Sequence, residues 1–313
     1  MNALVSIVIP TYNRAHLIGE TLDSIIAQSY GNWECLIIDD HSTDGTDLLI
    51  DEYSKRDGRF QFFLKGRDVK QGAAAARNLG LRKAKGEYVQ FLDSDDILAS
   101  NKLEAQLTSL SSENWQTLTT CKWGVFSDIR DPINIYQDRA DYRDFDDIKD
   151  YFDLIGLYGG FFPSHSFLVS RKLIDCSGYW NEELVINDDG EFFFRIILNA
   201  KKILFADDTY VLYRNSAQNG DNVSSLNSKF KALQLINSWQ IIESLYCAQF
   251  GGADSVYLDK KKENVYNELQ KGYRHIVREN KLFFSKQIKA DTFKKKAFKV
   301  FEKIKLKIKV TFR

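Results

Sequence analysis

Much that would point elsewhere is missing from this sequence. Its four cysteines (Cys35, Cys121, Cys176 and Cys247) are scattered and form no Cys-x-x-Cys pair. Neither a zinc site nor a disulfide framework is expected, and a reducing compartment fits. Gly-x-Gly-x-x-Gly and Gly-x-x-x-x-Gly-Lys-Ser/Thr are both absent, which argues against a dinucleotide enzyme and a P-loop NTPase. No stretch reaches the roughly 20 apolar residues of a membrane span. The most apolar candidate, 152–169, is interrupted by Asp153, Pro163 and His165. The short apolar run Leu4–Pro10 has no basic region ahead of it, so no secretory signal is expected. Net charge is also lacking: 43 Lys+Arg balance 43 Asp+Glu, which removes any global bias toward nucleic acid. There is no internal repeat and no low-complexity linker.

What is present suffices for a sizeable core. The 313 residues allow one large or two modest domains, and 44% are hydrophobic and 13% aromatic. The charge balance hides an asymmetry. Residues 271–313 hold fifteen Lys/Arg against three Asp/Glu, a local +12, so the body before them carries −12.

The first hundred residues alternate strand and helix. Val5–Pro10, Trp33–Ile38, Phe60–Leu64 and Gly86–Leu92 read as strands, the first and the last as buried ones. Between them, Leu17, Leu22, Ile25 and Ile26, then Leu48, Leu49, Ile50 and Tyr53, recur at helical spacing, and 72–80 reads as a helix with a small, close-packing face. Asn13 is placed to cap the first helix. The β-α-β-α-β-α-β order predicts a parallel sheet with right-handed crossovers. Three polar loops then gather at one edge: 11–14, 39–44 and 93–96. In the last, Asp93, Asp95 and Asp96 crowd three carboxylates into four positions. Buried together they raise one another's pKa, and a hard divalent cation such as Mg2+ or Mn2+ relieves that cost. The competing use is a solvated turn with Asp95 or Asp96 capping the next helix.

Four segments in order, Val5–Arg14, Ile37–Thr46, Ala75–Gly80 and Gly86–Asp96, resemble the family-2 glycosyltransferases of GT-A fold. The resemblance covers roughly residues 4 to 215 and leaves out the tail. It implies an α/β fold with a mostly parallel sheet flanked by helices. It also implies that Pro10, Thr11, Tyr12 and Arg14 pack on the nucleoside, and that Asp40 accepts a hydrogen bond from a uracil-type base edge. Arg77 reaches the nucleotide on this reading. Asp93-Ser94-Asp95 becomes the family's Asp-x-Asp, with Asp95 on the metal and Asp93 or Asp96 on ribose or metal. Each position has a plainer use: a half-exposed loop aromatic for Tyr12, an Asx turn for Asp40, an exposed helix charge for Arg77.

Further on, 101–110 reads as an amphipathic helix, 117–126 as a strand and 131–150 as a polar surface loop or short helix. The segment 159–171 lines the acceptor side by resemblance. His165 is at most an acceptor contact there, and the plainer use is a satisfied core or surface histidine. Asp188 and Asp189 precede an apolar helical face of Phe192, Phe193, Ile196 and Ile197. They suit simple capping at a helix N-terminus, and by resemblance they are the family's acidic dyad. Asp189 aligns with the catalytic base, and Asp188 stands where the family usually has Glu. Val211–Arg214 ends a strand. The family often has a metal-binding His two residues later, where this chain has Ser216, so a third protein ligand to the metal is in doubt.

From Leu226 the chain is expected to be helical, broken at Gly251-Gly252 and resumed through Tyr266, Leu269, Tyr273 and Ile276. The end, 293–313, is basic with interleaved apolar residues (Ala297, Phe298, Phe301, Ile304, Ile308). It reads as a membrane-surface helix, a solvated or partner-facing helix, or, from the alternation of its last nine residues, a strand. The expectation is a catalytic domain over 1–225 and a helical extension over 226–313. The resemblance implies an inverting, metal-dependent transfer from a nucleotide-diphosphate sugar, UDP first, to a glycan or lipid-linked hydroxyl in surface polysaccharide or lipid-linked oligosaccharide synthesis. The expected location is the cytoplasm or the inner face of the membrane, with no nucleic-acid partner. A nucleotidyltransferase would need a glycine-rich basic loop at 11–14, which lacks glycine. An inactive sugar-nucleotide-binding scaffold is the reading that the missing His favours.

Overall fold

The computed structural model describes residues 2–131, 133–215, 225–252, 255–296 and 298. β1 (Val5–Thr11) and β2 (Trp33–Asp39) are buried at every position, as parallel strands covered on both faces must be. With β3 (Phe60–Leu64) and β4 (Tyr88–Phe91) they form a parallel ladder in the order β3-β2-β1-β4. Helices α1 (Ile18–Ile26), α2 (Thr46–Arg56) and α3 (Ala73–Lys83) make the crossovers. This is the sheet the sequence predicts. α3 lies close to it because its inner face is small: a Cβ on Gly80 would stand 2.4 Å from a Val8 methyl. The sequence reading does not include β8 (Val169–Ser170), which closes the free edge of β4 antiparallel.

A second sheet carries the other half of the chain. Its order is β5-β9-β6-β7, with β5 at Ile97–Leu98, β6 at Thr117–Phe126, β7 at Asn134–Ile135 and β9 at Lys202–Arg214. Only β6 and β9 run parallel, and their register shifts between Cys121 and Lys122. The polar stretch 131–150 is largely irregular apart from β7 and the start of α5 (Ile148–Tyr158), whose first turn is capped by Asp147 accepting from the Lys149 N–H. The other elements up to β9 are α4 (Lys102–Ser109), a 3-10 turn at Ser164–Ser166, α6 (Arg171–Ser177) and α7 (Asp188–Asn199). Phe91 closes β4 inside an aromatic cage. Its ring centroid lies 5.1 Å from Trp180, 5.4 Å from Phe192 and 6.2 Å from Phe193.

α8 (Lys229–Phe250) ends at Gly251, where a φ of 71° suits glycine. α9 (Val256–Gly272) stops where the sequence predicts it continues. Tyr273 leaves helical geometry and α10 (Arg274–Glu279) starts anew. Residues 285–296 are helical. Ala297, Phe301, Ile304 and Ile308 and the alternating terminus lie outside the described residues. The extension shares its core with the rest. Phe152 of α5 and Phe194 of α7 pack against Tyr257 of α9 at 5.0 and 6.2 Å, and one apolar cluster runs from Val5 to Phe284. Among the described residues no helix is long and apolar enough to cross a membrane.

Candidate active site

The carboxyl ends of β1, β2 and β4 open on one edge of the sheet, where ligands sit in open α/β folds. Two loops there are clipped together. Asn13, at a left-handed φ of 50°, accepts from the Thr43 N–H at 2.8 Å and gives its own N–H to Ser42 Oγ at 2.8 Å. It therefore ties two loops instead of capping α1. Arg14 gives its N–H to Thr46 Oγ1, also at 2.8 Å. Pro10 is buried in β1 opposite Ile38, Thr11 is buried with its hydroxyl unpaired, and Tyr12 is 56% exposed above them.

The Asx turn left open for Asp40 belongs to its neighbour. Asp39 accepts both the N–H and the hydroxyl of Ser42. Asp40 instead faces Lys65, whose Nζ stands 2.6 Å from Oδ1, and accepts the Gly72 N–H at 2.7 Å on Oδ2.

The acidic motif separates into three roles. Asp93 takes a 2.6 Å bond from Arg77. Burial pushes its carboxyl up, but the Arg77 charge and hydrogen bond outweigh this and hold it below the usual carboxylate range. Asp95 has no such grip: the nearest atom of its ion-pair partner Arg14 is 3.9 Å away. Burial first, then the Asp93 charge, raises it. Ser94 between them is buried. Asp96 corrects the sequence reading. It is 1% exposed, accepts the Arg214 N–H at 2.8 Å and turns its other oxygen toward His165 Nδ1 at 3.1 Å. It is spent inside the fold and is not placed to meet a cation in the cleft.

His165 is corrected by the same contact. Fully buried behind the motif, with burial pushing its imidazole down to about 4, it lines no acceptor surface. Behind it lies Lys102, also fully buried, which donates to Gln90 Oε1 and whose amine burial pushes to about 7.

Arg77 is no exposed helix charge either. It is 6% exposed, its guanidinium lies 4.3 Å over the Trp180 ring, and it donates to Asp93 and, at 3.2 Å, to Asp188. Residues 93 and 188 thus meet through one planar cation with a fork suited to two carboxylates. Asn78, one position on, holds the loop that follows. It accepts from the Trp180 N–H and donates to the Trp180 carbonyl, both at 2.9 Å, and to Glu182 at 2.7 Å.

Asp188 and Asp189 open α7, after Asn187 at a left-handed φ of 56°. The side chain of Asn187 donates to Ser238 Oγ on α8 at 3.0 Å. Asp189 is exposed and accepts the Gly190 N–H at 2.8 Å. Surrounding protein mass and the adjacent Asp188 charge push its carboxyl up to about 6. A carboxylate poised there takes a proton more readily than an ordinary one.

Sequence reasoning missed three supporting groups: Lys65, Ser238 and Arg214. Arg214 donates Nε to the Asp95 carbonyl and Nη1 to the Ser127 carbonyl, and pairs with Glu20, fixing the acidic loop from behind. The Tyr-Arg pair at the end of β9 was the available signal. The position of Ser216 lies outside the described residues. Among those described, no three His, Cys, Asp or Glu side chains form a ready metal cluster. Asp95 and Asp93 nevertheless suit a hard cation that draws its other ligands from phosphate oxygens and water: Asp95 is an under-neutralised carboxylate with its pKa raised.

The family model described as glycosyl transferase family 2 matches residues 6–178. The UDP-Glc:alpha-D-GlcNAc-diphosphoundecaprenol beta-1,3-glucosyltransferase WfgD of Escherichia coli is 43% identical over 111 residues, which are 36% of this chain and 42% of that protein. The chain therefore covers less than half the length of that relative. Among solved structures, S. aureus TarS 1-349 in complex with UDP-GlcNAc aligns with a TM-score of 0.67 at 20% identity, covering 87% of this chain and 74% of that one. The mannosyltransferase PcManGT from Pyrobaculum calidifontis, in complex with GDP-Man and Mn2+, aligns at 0.52 with 18% identity, covering 84% and 69%. At these identities the likeness is one of fold, and the fold is GT-A.

Proposed function

The chain belongs to glycosyl transferase family 2, and from that premise we propose that it is an inverting enzyme that moves a sugar from a nucleotide-diphosphate donor, UDP first, to an acceptor hydroxyl. One observation carries this reading: Arg77 joins Asp93 of the acidic motif to Asp188 of the dyad, so a donor-type and an acceptor-type carboxylate share one cleft. Pro10, Thr11, Tyr12 and Arg14 flank the nucleoside side, Asp40 meets the base edge, and Ser94 sits in the turn beneath the ribose.

Asp95, with Asp93 beside it, would hold a Mn2+ or Mg2+ ion, whose charge offsets that of the departing diphosphate. Asp189 takes the proton of the acceptor hydroxyl as its oxygen bonds to the anomeric carbon, on the face opposite the diphosphate. The bond to the diphosphate oxygen breaks in the same displacement, so the configuration inverts. Residues 1–225 carry this chemistry. Residues 226–313 brace it, through Ser238 on Asn187 and through Lys261, which donates to the Gly160 carbonyl at 2.8 Å. A lipid-linked acceptor at an anionic membrane surface suits both the acceptor in the WfgD name and the basic end of this chain.

Calorimetric titration of UDP, GDP, dTDP and CDP, with and without Mn2+, tests the donor half. UDP is expected to bind tightest and to need the metal, and Asp95→Ala is expected to erase the metal enhancement. Metal-independent UDP binding, or a normal UDP–Mn2+ affinity in Asp95→Ala, removes the metal role. Binding of none of the four removes the enzyme reading.

The brace has its own test. Ser238→Ala deletes two hydrogen bonds, the one from Asn187 and the one its hydroxyl donates to the Leu235 carbonyl, about 1 kcal/mol of stability each. By loosening the turn that aims Asp189 it is expected to lower kcat about tenfold, with UDP affinity unchanged. An unaltered kcat in a steady-state assay assigns Ser238 to packing alone.

A further inference from the structure

Lys65 is a deeply buried ammonium beside Asp40, and neither the family resemblance nor the sequence pattern assigns it a role. It is 1% exposed, on the residue just past β3, where its N–H continues the ladder to the Asp39 carbonyl at 2.9 Å. Its Nζ has two partners: Asp40 Oδ1 at 2.6 Å and the Lys70 carbonyl at 2.8 Å. Gly72 comes round the same loop to give its N–H to Asp40 Oδ2 at 2.7 Å. Oδ2 therefore carries one fixed donor from the protein side, while Oδ1 is held by the ammonium as an ion pair. The Asp40 side chain is still 12% exposed; Oδ1 is sealed from solvent, and Oδ2 retains acceptor capacity.

A lysine sequestered this way is costly unless its charge is used. A neutral donor such as a backbone N–H would satisfy Asp40 Oδ1 as a hydrogen bond. An ammonium does more, because its charge also holds the carboxylate, a pure acceptor with no proton to give, in one orientation beside the Gly72 N–H. That has a consequence for the base it can face. Uracil presents an N3–H donor between two carbonyls. Cytosine presents an unprotonated N3, and against a pure acceptor it leaves two lone pairs opposed. A site built to take a hydrogen bond rejects the analogue that cannot supply it far more strongly than a mere pocket does.

We propose that Lys65 is a specificity-determining residue: through its ion pair with Asp40 it makes the base site selective for a pyrimidine with an N3–H over cytosine. This rests on the reading of Asp40 as the base-edge acceptor given above. Lys65 touches no ligand itself and acts by positioning Asp40.

The test is the ratio of CDP to UDP dissociation constants, measured by calorimetry with Mn2+ present. It is read for the wild-type chain, Asp40→Asn, Lys65→Met and Lys65→Gln, each checked for folding by thermal unfolding. The wild type is expected to favour UDP by at least about thirtyfold. Asp40→Asn, whose amide both gives and takes, is expected to bring the ratio below about threefold. Lys65→Met is expected to do the same while weakening UDP about tenfold. Lys65→Gln keeps a donor without the charge, and it serves should the methionine variant fail to fold. It is expected to lower the ratio at least about threefold. A merely structural lysine would lower melting temperature and leave the ratio alone. If Asp40→Asn collapses the ratio and a folded Lys65 variant keeps it, the Lys65 proposal is overturned and the Asp40 reading stands. If Asp40→Asn leaves the ratio unchanged, or the wild type shows no UDP preference, the Asp40 reading itself fails and takes this proposal with it.

Discussion

Asp189→Asn is expected to lower sugar transfer about a thousandfold while leaving UDP–Mn2+ affinity within a factor of two of wild type. The substitution keeps the shape of the side chain, its place at the start of α7 and an oxygen for the 2.8 Å bond from the Gly190 N–H. It removes the capacity to accept a proton. Donor binding is drawn from the other side of Arg77, so it has no reason to change. The wild-type pH profile gives a second reading of the same group. Surrounding protein mass and the Asp188 charge push Asp189 up to about 6, and a general base works in its deprotonated form. Transfer should therefore be flat at pH 7 to 8 and fall tenfold per unit below about 6. A profile flat down to pH 5, or a variant that retains turnover, takes Asp189 out of the mechanism. Chiral analysis of the product reports inversion independently.

Arg77→Met should cost both stability and activity. Two carboxylates lose their shared cation, and a side chain only 6% exposed loses its place over Trp180. Breaking a buried pair of this kind costs about 3 kcal/mol, the low end of its range, because Asp93 and Asp188 are partly open to the cleft. Asp93 should rise toward the ordinary carboxylate range and beyond once the group that depresses it is gone. Denaturant titration reads the stability loss, and transfer is expected to fall at least about a hundredfold. Lysine is a poor substitute, since a point charge cannot fork to two carboxylates or stack on an indole. Arg77→Lys should recover less than half of the lost stability. Full recovery would mean that charge, not the planar fork, is what the site requires.

The parallel half was legible because its information is local. β1 and β2 are mostly apolar runs, broken inside only by Ser6 and Glu34, and each ends in a polar loop. The second sheet was not legible in the same way. β9 begins with Lys202 and passes through Asp207 and Asp208. Those charges read as loop until β6 is known to lie beside it. The three-carboxylate cluster announced a site, but pattern alone could not separate Asp95, facing the cleft, from Asp96, turned inward on a histidine sixty-nine positions away. Lys65 and Ser238 carried no signal, because a lysine after a strand and a serine on a helix are ordinary surface residues until the chain buries them. His165 looked like a pocket residue for its composition and proved to be a core one for its neighbour.

The cage around Phe91 has a consequence for how the chain comes into being. β1 to β4 can pair once residue 91 has been made, yet the rings that cover Phe91 belong to residues 180, 192 and 193. At the ordinary pace of translation the intervening stretch takes roughly 5–20 s to appear. Through that interval any sheet formed by the first third of the protein has a bare Phe91 and an open β4 edge, since β8 also arrives late. The nascent chain thus passes through a state fit for a holding chaperone or for its own neighbours on the polysome. Slowing synthesis between codons 91 and 193 lengthens that exposure without changing a single residue of the finished molecule.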